Sequence, residues 1–290
     1  MCRLLGWVAR QGLSLRSVLG EESFVSFAQL SRIHADGWGL AYAAGDSLEV
    51  ERSTTNASAD PAFATLAGGV AARAGLAHLR WASPGLPVEL CNAHPFRYGD
   101  TAFAHNGGIY PLERVGELLS EEWRGRLTGS TDSEHYFLAV MAEMAASGDD
   151  LPTALPRVLR RIAEEYTPSS LNAMILAPEA LYVVNCHDAS IKPVLPPLEP
   201  LSVDQMVEAA EEDVPYYDLR YRSTGDSVVV ASSGFAQPEG GGWRRMANSS
   251  LLIVDRTSLE VTEVPLDVRI GERVGERVGV AAESATGDLR

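Results

Sequence analysis

Met1-Cys2-Arg3-Leu4-Leu5-Gly6-Trp7-Val8-Ala9 opens the chain, and its second residue organises the reading of the rest. With Met1 removed, which a second side chain as small as that of Cys2 permits, a thiol and a free α-amine share one residue. An α-amine titrates near ~7.7–8.0 and a free thiol near ~8.5, so the amine can take the thiol's proton at neutral pH. A nucleophile that carries its own base needs no histidine partner. The competing reading makes Cys2 a small apolar residue at the head of a strand. Arg3 to Ala9 is apolar on both alternating faces and predicts a buried strand in either case.

Length and composition narrow the classes. The 290 residues are 46% hydrophobic and 22% charged, a globular composition long enough for one large core or two small ones. A formal net charge of -15 argues against general nucleic-acid binding, which needs clustered Lys and Arg. Cys2, Cys91 and Cys186 are too few and too widely spaced for a disulfide framework or a zinc site, which suits a reducing cytoplasm. Arg3, Arg10 and Arg16 interrupt the opening apolar run, so no secretory signal is expected. No run of ~18 apolar residues predicts a membrane span.

Along the chain, Ser14 to Leu30 has helical spacing, as one helix or two short ones. His34-Ala35-Asp36-Gly37-Trp38-Gly39 precedes a strand, and its glycines suggest a tight backbone approach or a bulge. A hairpin closes through Ala44-Gly45-Asp46 into Ser47 to Arg52. Asp60 and Pro61 start a helix reaching to about Ala72. Gly75 to Leu79 is a strand broken by Pro84 and Gly85, which leaves Arg80 at its end. Asn92 to Phe96 reads as a loop, and Thr101 to Ala104 as a strand running into a turn at His105-Asn106-Gly107-Gly108. Leu112 to Leu127 predicts one amphipathic helix. Thr131 and Glu134 form a capping box for the helix that follows, and Leu151 to Tyr166 is a third. The second half reads mostly as strands: Leu171 to Ala177 with Leu181 to Asn185, Ser227 to Ala231, Leu251 to Val254 and Glu260 to Val264. A proline-rich connection over Pro193 to Pro200 leads to a short acidic helix near Val203 to Glu212. The folded domain is expected over residues 2–265, with 266–290 a disordered or loosely docked tail.

A thiol attacking a carbonyl needs oxyanion donors and anchors for its substrate. The Asn106 amide and the Gly107 N–H can converge on one oxygen. Arg80 offers a two-point fork for a carboxylate, and Asp132 a partner for an ammonium. Together they would grip an α-amino acid by both ends and turn its side chain toward Cys2. The alternatives are structural: Arg80 stacked on Trp81, and Asp132 favouring a helix dipole. His34, His78, His94, His105 and His135 fit no metal-ligand spacing, and no cofactor is expected.

Cys2, Arg80-Trp81-Ala82-Ser83, Asn92-Ala93-His94-Pro95, His105-Asn106-Gly107 and Thr131-Asp132-Ser133-Glu134 occur in the order seen in class II glutamine amidotransferases. The sequence resembles their N-terminal nucleophile (Ntn) hydrolase domain over roughly residues 2 to 265, and His34 to Gly39 is similar to the short, stand-alone branch. The resemblance implies an α+β fold, a four-layer αββα sandwich with two antiparallel sheets between helix layers. It implies Cys2 as nucleophile and base, Asn106 and Gly107 as oxyanion hole, Arg80 on the substrate carboxylate and Asp132 on its amine, with Trp81 and Ser83 lining the pocket. Two features depart from it: Pro84 stands where many relatives have a histidine, and no ammonia-using synthase domain is expected after the glutaminase-like region.

Three functions are expected from this pattern. The first is cleavage of a γ-glutamyl amide, glutamine or a γ-glutamyl conjugate, through a thioester on Cys2. An ergothioneine-pathway γ-glutamyl amidohydrolase is a variant of it, though that branch usually has a smaller residue in place of Trp81. The second is a glutaminase subunit passing ammonia to a separate partner synthase. The third is a silent binding module that kept the fold. The expected partner is a small glutamine-like molecule, with no nucleic acid and no membrane; a homo-oligomer is left open.

Overall fold

The computed structural model describes residues 2–45, 47–83, 85–191 and 216–271. Pro84, the connection at Pro193 to Pro200, the acidic helix expected near Val203 to Glu212 and the chain beyond Gly271 lie outside the described residues.

Two antiparallel sheets stack face to face. The first contains β1 (Arg3–Leu13), β2 (Trp38–Ala44), β3 (Ser47–Ser53), β4 (Ala72–Leu79), β9 (Leu219–Ser223), β10 (Ser227–Ser232) and β11 (Trp243–Arg245), in the spatial order β11-β9-β10-β1-β4-β2-β3. The second contains β5 (Phe96–Tyr98), β6 (Thr101–Tyr110), β7 (Thr167–Leu176), β8 (Ala180–Asn185), β12 (Ser250–Asp255) and β13 (Val261–Pro265), in the order β13-β12-β8-β7-β6-β5. The opening strand shows why the layers form. Leu4 and Val8 point inward to Met174, Leu181 and Val183 of the other sheet, while Leu5 and Trp7 point outward. Gly6 faces inward too, where a Cβ would meet Leu181 Cδ2 at 2.8 Å, so its lack of a side chain lets the sheets approach.

The outward face is covered by α1 (Leu15–Leu19), α2 (Glu21–Gln29) and α3 (Pro61–Gly69) through Leu15, Val18, Phe24, Phe27 and Phe63. Gly20, at φ +83°, separates the first two helices. On the far side lie α4 (Glu121–Arg124), α5 (Asp132–Ser147) and α6 (Leu151–Glu165). Leu155, Val158, Leu159 and Ile162 of α6 share the outer core with Phe137 of α5 and Phe103, Leu171 and Ile175 of the second sheet. Each such fully buried side chain contributes about 1.5–3 kcal/mol. The four layers expected from the resemblance are present.

Several local expectations are corrected. Leu112 to Leu127 is not one helix: a 3-10 stretch covers Leu112–Leu118, Leu119 is extended, and Ser120 caps the short α4 by accepting from Trp123 N. The apolar spacing there is satisfied by two short turns, and the serine restarts the backbone between them. His105 to Gly108 is no turn after a short strand; β6 continues through it to Tyr110, with a register shift between Gly108 and Ile109. Thr131 does cap α5, accepting from Glu134 N at 3.2 Å. The Glu134 carboxylate, however, accepts from Thr128 N, Thr128 Oγ1 and Gly129 N at 2.9, 2.7 and 2.7 Å. Three nearby donors of the preceding loop outcompete the single N–H of a capping box. Asn92 to Phe96 is more ordered than a plain loop: Leu90–Asn92 forms a 3-10 turn and Phe96 begins an edge strand. Leu266 and Val268 remain buried after β13. No helix among the described residues is long and apolar enough to cross a membrane.

Candidate active site

Cys2 stands where the two sheets meet at one end of the sandwich. Arg3 pairs with Leu79, so Cys2 lies beside Arg80 at the end of β4. Its backbone nitrogen crosses to the other sheet and donates to Asn106 Oδ1 at 2.9 Å. The thiol contacts Trp81: Sγ accepts from Trp81 N at 3.5 Å and donates to Trp81 O at 3.6 Å. Cys2 is 8% exposed, buried yet reachable. The strand head is clamped from the adjoining strand and its approach. Ser232 Oγ accepts from Leu4 N at 2.9 Å and donates to Leu4 O at 3.1 Å. Tyr216 donates its hydroxyl to Cys2 O at 3.3 Å, and the Arg3 guanidinium lies 3.9 Å above the Tyr216 ring.

The hydrogen bond to Cys2 also orients Asn106. A backbone N–H can only donate, so the atom facing it is the amide oxygen and Nδ2 points away. That Nδ2 is buried and has no hydrogen-bond partner among the described residues. An unsatisfied buried donor beside a thiol is unusual enough to require a reason. It is suited to an oxygen that gains charge during a reaction. Gly107 follows in the strand, and a Cβ there would overlap the Ser170 carbonyl oxygen and lie 2.7 Å from His105 Nε2. No side chain fits.

Arg80 is 3% exposed. Its Nη2 donates to Pro87 O at 3.1 Å, while Nη1 has no partner among the described residues. Half of the fork is thus used structurally and half is unpaired. Asp36 sets this segment. Its backbone N donates to Arg80 O at 3.0 Å, Arg80 N donates to Gly37 O at 2.8 Å, and Asp36 Oδ2 accepts from Ala82 N at 2.8 Å. Gly39, three residues on, lets the His94–Pro95 backbone approach its strand, since a Cβ there would overlap the His94 carbonyl oxygen. That is the tight contact the two glycines suggested.

Asp132, 5% exposed, begins α5 and accepts from Ile109 N at 2.8 Å through Oδ2. This bond ties the helix start to β6, three residues after Asn106. The histidines between these charges are neutral. Burial and the nearby Arg80 charge lower His78 to about 3. Burial, then His78, holds His94 well below its ordinary value, and the two rings lie 4.3 Å apart. Burial also lowers His105, against the pull of Asp132. Its Nε2–H donates to Ser170 O at 2.9 Å, because a carbonyl can only accept, so Nδ1 accepts from Ser133 Oγ at 2.9 Å. Arg80 and Asp132 thus stand as buried charged groups among neutral histidines. No cluster of metal-ligating residues occurs among the described residues. Cys186 lies elsewhere in the core, where burial pushes its thiol up to about 12, and Cys91 is half-buried.

Cys2, Arg80 with Trp81, Asn106 and Asp132 come from four separate stretches and gather at one end of the sandwich; Ser83 and Gly107 lie close to them in sequence. Sequence reasoning missed Asp36, Ser232, Tyr216 and Tyr110. Only Asp36 carried a local signal, standing in the glycine-flanked stretch already singled out.

The model of the family "Glutamine amidotransferases class-II" matches residues 1–270. The chain is 32% identical over 116 residues to the gamma-glutamyl-hercynylcysteine sulfoxide hydrolase of Mycobacterium tuberculosis, covering 38% of this chain and 50% of that one. It is 24% identical over 273 residues to the glutamine–fructose-6-phosphate aminotransferase (isomerizing) of Zymomonas mobilis, covering 87% of this chain and 42% of that one. The chain thus spans about half the length of the curated relatives it matches. Among solved structures, a glutamine aminotransferase class-II domain protein from Silicibacter pomeroyi shares the fold, with a TM-score of 0.59 and 17% identity over 91% of this chain and 99% of that one. A family match that takes in Cys2, Arg80, Asn106 and Asp132 alike, on a fold of two stacked sheets between helices, means that the chain belongs to the class II glutamine amidotransferases.

Proposed function

We propose that the protein hydrolyses a γ-glutamyl amide, glutamine or a γ-glutamyl conjugate, through a γ-glutamyl thioester on Cys2. The observation that carries this is the Asn106 amide, whose oxygen holds the Cys2 nitrogen while its buried Nδ2 has no partner among the described residues. With Met1 removed, the nitrogen held by Asn106 is the α-amine, fixed beside the thiol it would deprotonate. Sulfur attacks the amide carbonyl and the thiol proton passes to the amine. The oxyanion is met by Asn106 Nδ2 and the Gly107 N–H. Collapse breaks the C–N bond, and the amine's proton leaves with the ammonia or amine. Water, deprotonated by the same amine, then attacks the thioester and frees glutamate and the thiol. Arg80 holds the α-carboxylate and Asp132 the α-ammonium, so binding precedes any charge at the carbonyl. Trp81 and Ser83 line the space between. The names of the relatives support the substrate class: one is a gamma-glutamyl hydrolase and another uses glutamine.

Delivery of ammonia to a separate synthase is the second reading. It is favoured by the similarity, over 87% of this chain, to an aminotransferase whose name pairs glutamine with fructose-6-phosphate as acceptor. A mass-spectrometric screen of γ-glutamyl amides, wild type beside Cys2→Ala, tests the first reading. Glutamate should appear with the wild type alone. Equal turnover by Cys2→Ala, or none by either, contradicts hydrolysis by this protein. Glutamate formed only after a synthase is added favours the second reading.

A further inference from the structure

Tyr110 closes β6, four residues after Asn106, and nothing in the proposed chemistry uses it. It is 43% exposed, a large aromatic residue at the surface of the site rather than in a core. Its ring folds back along its own strand. A Cβ on Gly108 would meet Tyr110 Oη at 2.8 Å, Cε2 at 2.9 Å and Cζ at 3.0 Å, so the phenol covers the space that Gly108 leaves open. The phenol lies within electrostatic reach of the Ser83 side chain, the Asp132 carboxylate and Tyr217. Ser83 follows Arg80 by three residues, and Asp132 is fixed to Ile109, the neighbour of Tyr110. The phenol therefore neighbours both the segment that carries Arg80, the proposed carboxylate anchor, and Asp132, the proposed ammonium anchor. An amino acid held by Arg80 and Asp132 would place its α-carbon close to this ring.

We propose that Tyr110 is a specificity-determining residue, closing the α-carbon end of the pocket and selecting γ-glutamyl groups whose α-carboxylate is free. The inference rests on the γ-glutamyl reading above and deepens it. Its chemistry follows from what the phenol meets. Burial, and then Asp132, push the phenol's pKa up while Ser83 pulls it down, so Tyr110 stays a neutral O–H donor at neutral pH. Such a donor can add a hydrogen bond to the α-carboxylate held by Arg80. A substrate extended by a peptide bond at that carboxyl would lose the anion and would have to pass the place that the ring occupies. Chains attached to the γ-amide leave on the Cys2 side and are not affected. The site would therefore accept diverse leaving amines and reject glutamine within a peptide chain. A merely structural Tyr110, packed over Gly108, would leave this discrimination untouched.

The test uses a diazoketone analogue of glutamine and its α-amide, with the rate of labelling of Cys2 read by intact mass. Wild type should be labelled much faster by the free acid. Tyr110→Phe removes one charged-group hydrogen bond and should weaken half-saturation by the free acid about tenfold, with the maximal labelling rate nearly unchanged. Tyr110→Ala opens the end and should cut the preference for free acid over α-amide by about tenfold or more. Gly108→Ala, which pushes the ring away while keeping the phenol, should shift the preference in the same direction. Wild type left unlabelled by the free acid overturns the γ-glutamyl reading itself. Wild type labelled, with folded Tyr110 variants keeping both its half-saturation and its preference, overturns the role of Tyr110 alone.

Discussion

Replacing Asn106 by alanine separates chemistry from packing at the centre of this site. Asn106 is fully buried, with its oxygen engaged by Cys2 N at 2.9 Å and its Nδ2 unpartnered among the described residues. Alanine removes both functions. Loss of the acceptor leaves a buried N–H unsatisfied, at a cost of roughly 1–3 kcal/mol of stability. Loss of the donor acts only when the carbonyl oxygen becomes anionic, and costs about 2.7–4 kcal/mol, or 10²–10³ in kcat. Substrate binding precedes that charge, so KM should change little. Asn106→Asp isolates the donor: it keeps an acceptor for the Cys2 nitrogen but offers no N–H to an oxyanion. Turnover per folded molecule and the melting temperature, measured on both variants, divide the two effects. A folded Asn106→Ala protein with unimpaired kcat and a lowered melting temperature would refute the oxyanion role and leave Asn106 a structural link between the sheets.

The anchors are tested by Arg80→Lys and Asp132→Asn, each expected to raise KM strongly with a smaller change in kcat, because the fork and the counter-charge act on the bound ground state; steady-state kinetics on glutamine that match wild type for both would remove them from the pocket. Asp36→Ala should lower kcat and kcat/KM without abolishing folding, since Asp36 Oδ2 holds Ala82 N at 2.8 Å and so sets the Trp81 segment beneath the thiol; wild-type kinetics would show the loop to be set by other contacts. Stability should fall on acidification. Burial holds His78 at about 3 and His94 well below its ordinary value. Below a pH of about 6.5 the unfolded chain therefore binds protons that the folded chain refuses, at about 1.4 kcal/mol per pH unit for each histidine. Urea midpoints at pH 7 and pH 5 measure this, and a slope unchanged in His78→Gln would contradict it.

The fold was legible where one stretch carried its own pattern. The alternation of Leu4, Leu5, Trp7 and Val8 announced a strand buried on both faces, and such a strand requires a layer on each side. Thr131 announced the start of α5. The misreadings occurred where partners lay outside the local window. Glu134 had the spacing of a capping box, but a loop with three donors was closer. His105 to Gly108 looked like a turn because glycines usually mark one. In the sheet they serve close packing instead, against Ser170 and beneath Tyr110. The residues that gather at this end of the sandwich were legible as a set of types in order. Their clamps were not: Ser232 and Tyr216 reach the first strand across more than 200 residues, and no local spacing encodes that. Tyr110 was passed over because a lone tyrosine at a strand end has no distinguishing pattern until Ser83 and Asp132 are seen near it.

The central claim is that Cys2 is a nucleophile whose own α-amine is its base. Its most direct test is the intact mass of the purified protein before and after a diazoketone analogue of glutamine, followed by peptide mapping. The account predicts Met1 absent, one adduct on Cys2, none on Cys91 or Cys186, and loss of activity in step with labelling. Full activity in a protein that retains Met1, or inactivation by an adduct at Cys91 with Cys2 untouched, would contradict it.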